Sequence, residues 1–242
     1  MNFPAQSNND IDPCLSLVMP VYNEAATIDT IIELVLKQRP VAELIIVDDA
    51  STDNTWQALE SWPKKDSRVR LLRHPENRGK GAALRTGISH AAKPYVLVQD
   101  ADMEYDPSEY YVLLNPILAN KADVVMGSRF MAGARHVLYY WHAVGNKVLT
   151  TLSNMTTNLW LTDMETCYKL FRREIIQGIA LEENRFGFEP EVVAKIARLD
   201  VRIYEVPISY SGRTYADGKK INWKDGVSAL RCIAKYGILN RL

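Results

Sequence analysis

Residues 81–106 read GAALRTGISHAAKPYVLVQDADMEYD. Three features follow one another in that stretch. Gly81 to Ala92 looks helical, Tyr95 to Val98 (YVLV) is a short apolar strand, and a loop dense in carboxylates comes next. A strand entered from a helix and left through a polar loop is half of an alternating α/β unit. The same succession repeats on either side. Toward the N-terminus, Leu15 to Val21 (LSLVMPV) reads as a buried strand. Thr27 to Gln38 carries Ile28, Ile31, Ile32, Val35 and Leu36 at helical spacing. Glu43 to Val47 (ELIIV) is a second strand, Thr55 to Trp62 a helix, and Val69 to Leu72 a third strand. Toward the C-terminus, Asp123 to Met126 (DVVM) is a further strand, and residues 137–161 predict one or two helices. Residues 186–198 predict another helix, and Val201 to Ser209 a last strand. The expected fold is α/β, with a Rossmann-like, mostly parallel central sheet and flanking helices. Open sheets of this kind bind ligands outside the carboxyl ends of their strands. Here those ends are the polar loops 20–24, 48–53 and 100–106.

Two of the loops are acidic. Asp48, Asp49 and Asp53 follow ELIIV, and Asp100, Asp102, Glu104 and Asp106 follow YVLVQ. Carboxylates this dense repel one another unless a cation or donor lies between them. Asp100 and Asp102 are one residue apart, so an extended chain points both side chains the same way. Hard oxygen ligands of this kind suit Mg²⁺ or Mn²⁺ shared with substrate phosphates. A lone pair of this spacing is more often a solvated acidic turn; its place at the end of an apolar strand shifts the balance toward a ligand site. A calcium loop over Asp49, Ser51, Asp53 and Glu60 fails, because Asn54 stands where a sharp-turn glycine is needed and a strand precedes it. In Asn77-Arg78-Gly79-Lys80-Gly81, two glycines and a lysine open a helix. Such an entry can hold an anion, although Leu84 occupies the last glycine position of a dinucleotide-binding pattern and a flexible helix entry is the plainer reading.

Composition narrows the class. Of 242 residues 47% are apolar and 24% charged, ordinary for a globular chain. Lys plus Arg equals Asp plus Glu at 29 each, so no global field steers nucleic acid, and any anion site is local. Cys14, Cys167 and Cys232 are widely spaced and form no CxxC pair, which points to reduced thiols in the cytoplasm. His74, His90, His136 and His142 show no paired spacing and are assigned no catalysis. The polar start, MNFPAQSNNDIDP, does not read as a signal peptide. No run approaches the roughly 20 apolar residues of a membrane span.

Seven stretches, in order, resemble the family 2 glycosyltransferases, and within them the dolichol-phosphate mannosyltransferase-like group of polyprenyl-phosphate glycosyltransferases. They are VMPVYNEAATI (18–28), IIVDDASTDNT (45–55), NRGKGAALRTG (77–87), VQDADMEYDP (98–107), VVMGSRF (124–130), TDMETCYKLFRRE (162–174) and VPISYSGRTYADGKKI (206–221). The resemblance implies a GT-A fold, a single Rossmann-like sheet extended by an acceptor-side region. It implies an inverting, metal-dependent transferase moving a hexose from a UDP- or GDP-sugar to a lipid-linked phosphate. By position it places Pro20, Tyr22 and Glu24 at the base and ribose, and Asp49 at the nucleoside. Lys80 joins the nucleotide-sugar site. Asp100 and Asp102 match the metal and diphosphate ligands, and Glu104 stands where relatives often carry a further metal ligand, Gln. Arg129 and Arg213 match arginines on the acceptor or donor phosphate. Lys169, in CYK, stands where many relatives have an arginine.

The chemistry agrees with such roles. A diphosphate leaves once its charge is neutralised, which a metal ion does as Lewis acid and template. An acceptor phosphate is already anionic, so it needs cations to position it; Arg129, Lys169, Arg172 and Arg213 are the candidates. A saccharide hydroxyl acceptor, the first rival, needs a base, for which Glu189, Glu191 and Asp163 are available. A catalytically silent nucleotide-binding module is the second rival. The expected organisation is a flexible lead-in over 1–14, the transferase domain over 15–221 and a C-terminal amphipathic helix over 222–242. Val227, Leu230, Ala234 and Ile238 share one face of that helix, flanked by Lys224, Arg231 and Lys235. Such a helix either lies on an anionic lipid surface or packs on the domain. The expected partners are the donor, the lipid phosphate and a membrane surface or membrane protein. The expected site of action is cytoplasmic, peripheral on the cytoplasmic membrane face.

Overall fold

The central strand β1 (Leu15–Val21) is buried along its length except at Pro20. A strand covered on both faces is mostly apolar, which is why LSLVM shows no alternation; its one polar side chain, Ser16, donates to Glu43. The computed structural model describes residues 8–131, 139–213 and 223–239. Beside β1 lie β2 (Val41–Asp48), β3 (Val69–Arg73), β4 (Tyr95–Val98), β5 (Val124–Ser128), β6 (Lys169–Arg172) and β7 (Ile203–Pro207). The seven strands run in the order β3-β2-β1-β4-β6-β5-β7. Pairs β1–β2, β1–β4, β2–β3 and β5–β7 are parallel. β6 is antiparallel to both of its neighbours. The expected GT-A type sheet is therefore present, mostly parallel with one reversed strand.

Helices cover both faces: α1 (Ile28–Leu36), α2 (Thr55–Leu59), α3 (Trp62–Lys65), α4 (Lys80–His90), α5 (Tyr110–Leu118), α6 (Tyr140–Thr157), α7 (Arg173–Gly178), α8 (Phe188–Ile196) and α9 (Trp223–Gly237). α1 buries the stripe Ile28, Ile31, Ile32 and Val35. The helix expected over Thr55 to Trp62 divides into α2 and α3, with Pro63 in the first turn of the second. α4 lies directly on β1, since a Cβ at Gly87 would sit 2.3 Å from Val18 Cγ1. That close seating brings the start of α4, and with it Lys80, to the carboxyl ends of β1 and β4.

α9 packs against α6 and α8. It buries Ala229, Cys232, Ile233 and Tyr236. Val227, Leu230, Ala234 and Ile238, the stripe picked out by helical spacing, face outward. Arg231 and Lys235 pair with Glu183 and Glu182. Among the described residues no helix is long and apolar enough to cross a membrane.

Candidate active site

The loop after β4 carries the acidic centre. Gln99, fully buried, anchors it: its Oε1 accepts from Tyr110 at 2.6 Å and from Tyr168 at 2.9 Å. Tyr105 stacks on Tyr168 with centroids 4.8 Å apart, and its hydroxyl accepts the Cys167 N–H. Thr27, just before α1, donates to the Ala101 carbonyl at 3.1 Å. The loop that follows β4 is thus held from three sides.

Each carboxylate of the pair already has a cation. Lys80 Nζ lies 2.9 Å from Asp100 and 3.3 Å from Glu189. Arg213 lies 2.7 Å from Asp102 and reaches Glu24 twice at 3.2 Å. Burial, with Asp100 and Glu104 close by, pushes the Asp102 carboxyl up to about 7 against the pull of Arg213. Glu104 accepts from the Tyr210 hydroxyl at 2.8 Å and from the Arg213 backbone N–H at 2.8 Å. The expected metal set is therefore one gathered place: Asp100, Asp102 and Glu104 lie along one loop, with Glu24 and Arg213 against it. Among the described residues no three His, Cys, Asp or Glu side chains enclose a metal position. The donor set is instead an open pair of hard oxygens with a surplus of negative charge. That arrangement fits Mg²⁺ or Mn²⁺ completing its coordination on substrate phosphate.

The loops after β1 and β2 interlock. Asn23 and Ala50 both adopt left-handed backbone, φ 53° and 58°. Ala50 is a residue type that rarely does so, and such strain gathers at ligand-binding turns. Asn23 N–H donates to Ser51, Glu24 N–H to Thr55, and Ala25 N–H to Asp53. Tyr22 is exposed between these loops and the solvent, while Pro20 sits in β1 opposite Val47.

Asp49, expected at the nucleoside, lies just past the end of β2. It is 2% exposed. His74 Nδ1 lies 2.7 Å from Oδ1, and the backbone N–H groups of Arg78 and Gly79 donate to the two oxygens at 3.0 and 2.6 Å. Its carboxylate fastens the 77–79 segment. His74, which sequence spacing left without a role, completes that clamp, with its Nε2 3.0 Å from Thr86 Oγ1. Gly79 and Gly81 also have a packing role at this helix entry. A Cβ at either would lie 2.3 Å from the carbonyl of Asn184 or Glu183. These glycines admit another stretch of backbone.

Arg129, after β5, forms a two-point fork with fully buried Asp163, Nε at 2.7 Å and Nη2 at 2.8 Å. Asn146 of α6 donates to the same carboxylate at 3.1 Å. Burial opposes the charge on Asp163, but Arg129 and these hydrogen bonds hold its carboxyl below the usual range. The fork leaves Nη1 pointing away from Asp163. The guanidinium lies 5.1 Å from the Tyr210 ring centroid. Since Tyr210 bonds Glu104, Arg129 and Arg213 flank one loop.

The other two expected acceptor cations are placed differently, Arg172 at the far end of the sheet and Lys169 inside the protein, within reach of the charges of Glu189, Asp163 and Glu165. Arg172 pairs with Tyr95 at the start of β4, the opposite end of the sheet from Asp100, and its guanidinium bonds Asp123 at 2.9 Å. The reversed direction of β6 carries it there. Lys169 is fully buried, its ammonium on the Met164 and Thr166 carbonyls, and burial lowers its pKa. Glu191 is also structural: its oxygens accept the N–H groups of Glu182 and Glu183 and pair with Lys195 at 2.6 Å. Glu189 remains at the site, with Oε2 buried and unpartnered.

Residues 16–179 match the sequence profile of Glycosyl transferase family 2. The chain belongs to that family. It is a nucleotide-sugar-dependent glycosyltransferase. It is 29% identical to a dolichyl-phosphate beta-glucosyltransferase, ALG5A, of Trichomonas vaginalis, over 94% of this chain and 74% of that one. It is 28% identical to an undecaprenyl-phosphate mannosyltransferase of Micrococcus luteus, over 93% of this chain and 94% of that one. It spans half the length of a low-salt glycan biosynthesis hexosyltransferase, Agl6, of Haloferax volcanii, at 29% identity over 86% of this chain. Among solved structures, a glucosyl-3-phosphoglycerate synthase from Mycobacterium tuberculosis in complex with Mn²⁺ and UDP-glucose superposes with a TM-score of 0.74. The identity there is 20%, over 98% of this chain and 84% of that one. That likeness shows the GT-A fold.

Proposed function

We propose that this family 2 glycosyltransferase moves a hexose, with inversion, from a nucleoside diphosphate to a polyprenyl-type phosphate. One observation carries the reading: Arg129 and Arg213 flank Tyr210 beside the Asp100–Asp102 pair. A phosphate nucleophile needs charge and orientation more than a base, and two arginines held in fixed planes supply both. Relatives named for dolichyl and undecaprenyl phosphate acceptors support the substrate class. Asp100 and Asp102 would hold Mg²⁺ or Mn²⁺ against the donor diphosphate, where the ion supplies Lewis-acid charge neutralisation. Lys80 stands ready for the same diphosphate, and Asp163 fixes Arg129 in its plane. The interlocked 20–25 and 50–55 loops form the nucleoside side, with Tyr22 as an exposed ring.

A lipid acceptor requires access to a bilayer surface. Trp160 is 94% exposed three residues before Asp163, the partner of Arg129. Tryptophan favours the membrane interface, and an exposed indole this close in the chain to Asp163 supports a bilayer contact beside the site. A second reading, transfer to a saccharide hydroxyl, draws on Glu189 Oε2 as an available base. The two separate in one assay: labelled hexose from a panel of UDP- and GDP-sugars, offered polyprenyl phosphate or free saccharides. The proposal expects transfer to the lipid phosphate, lost about a hundredfold in Arg129→Met, for a charged contact worth roughly 2–3 kcal/mol. Transfer only to saccharides, abolished in Glu189→Gln, overturns it.

A further inference from the structure

The contacts of Arg213 carry a consequence for how the donor arrives. Its guanidinium bonds Asp102 Oδ2 at 2.7 Å and both oxygens of Glu24 at 3.2 Å. Its backbone N–H bonds Glu104 at 2.8 Å. Three acidic side chains from two loops therefore converge on one cation. Asp102 is buried, and a buried carboxylate among like charges needs a counter-charge. On Asp100 the same service falls to Lys80 at 2.9 Å.

A divalent ion ligated by Asp102 would compete for the oxygen that Arg213 holds. Two cations on one carboxylate oxygen repel, and in a partly buried site water screens that repulsion weakly. An ion that takes this oxygen without nucleotide displaces the arginine, which then loses a partner. Arg213 also shows where it would turn. Its Nε is buried without an acceptor, 3.6 Å from the nearest Glu104 oxygen. A diphosphate beside Asp102 offers acceptor oxygens for a guanidinium that has released the carboxylate.

We propose that Arg213 is the resident counter-cation of the donor site, so that a divalent metal and a nucleoside diphosphate bind as a cooperative pair and the metal alone binds weakly. The inference rests on the metal–diphosphate reading given above and adds a direction of coupling to it. Binding couplings of this kind fall in the range of roughly 5- to 150-fold.

The test is Mn²⁺ binding, followed by calorimetry and by the paramagnetic signal of the free ion, without nucleotide and with saturating UDP or GDP. The wild-type chain is expected to bind Mn²⁺ at least about tenfold tighter with one of the nucleotides. In Arg213→Met, Mn²⁺ alone should bind about tenfold tighter than in the wild type, while the gain on adding nucleotide shrinks. Arg213→Lys keeps the charge but cannot bridge the carboxylates as a fork. It should fall between the two, and it decides the matter if the methionine variant does not fold. Thermal melting gives an independent readout: Mn²⁺ without nucleotide should raise the Tm of Arg213→Met more than that of the wild type. Unchanged or weaker binding of Mn²⁺ alone in both variants, with the nucleotide complex still forming, overturns the proposal and leaves the donor-site reading standing. A wild-type chain that binds no Mn²⁺ with either nucleotide overturns both.

Discussion

At the scale of single residues, the charged groups divide into those that meet substrate and those that hold them in place. Asp102→Asn removes charge from the proposed metal pair. Turnover should fall by several orders of magnitude, since charge stabilisation by the ion is worth several kcal/mol; nucleoside diphosphate release measures it, and near-normal turnover refutes the role. Arg129→Met should act on stability as well as transfer. It strands Asp163 at zero exposure, and breaking one side of a buried pair costs about 3–5 kcal/mol. Adding Asp163→Asn should restore most of the denaturation midpoint without restoring transfer, which separates the two roles. Glu165 gives a pH signature. Burial, followed by the charge of Glu189, pushes its carboxyl up to about 7, with Lys169 and Arg129 pulling the other way and Asp163 adding to the rise. The folded chain then keeps a proton that the unfolded chain releases near pH 4.5, so this contribution is present below that pH and lost as pH rises toward 7. Glu165→Gln mimics the protonated form. Its unfolding free energy should fall less than that of the wild type between pH 5 and 7, by on the order of 1–3 kcal/mol at the upper end; parallel profiles count against this.

At the scale of elements, what could be read from sequence tracks how each element announces itself. β1 and β4 agree with their expected spans residue for residue, because strands buried on both faces are continuous apolar runs bounded by polar loops. β6 escaped notice: KLFR is four residues long, includes two cations, and has no periodicity to find. Its reversal could not be read either, and that reversal is what sends Arg172 to the end of the sheet opposite Asp100. The gathering of Asp100 and Asp102 on one loop was legible because a strand end positions them, whereas the clamp between Asp49 and His74 was not. That pairing joins residues 25 apart, a separation at which no local pattern operates. The glycines of α4 make the same point. Gly81→Ala must push the Glu183 carbonyl aside, and such overpacking costs roughly 1–3 kcal/mol. A lower Tm with a raised donor KM is expected, because α8 and Lys80 shift with that segment; unchanged values would show the segment yields freely.

At the scale of the whole molecule, the outer surface of α6 stands out. Trp141, Val148 and Met155 recur every seven residues and are 77%, 50% and 74% exposed, on the helix that also packs α9. With Trp160 and the outward stripe of α9 they supply apolar side chains that a lipid surface would cover. Combined Trp141→Ser and Trp160→Ser should reduce co-sedimentation with anionic vesicles while sparing the Tm; equal sedimentation would place the membrane contact elsewhere. The strand order bears on how the chain is made. β3, β2, β1 and β4 are complete once residue 98 has been synthesised, and they form a contiguous parallel half-sheet. β5 has no partner among them. Its neighbours are β6 and β7, so it waits through some forty residues of synthesis, from Ser128 to Lys169, before its first hydrogen-bonded neighbour exists. During that interval a nascent chain on the ribosome exposes the open edge of β4 and a mostly apolar strand, the two features that invite mispairing and chaperone capture. Arrest peptides placed after residue 130 should therefore hold a half-built, protease-sensitive chain, and those placed well beyond residue 207 a closed one.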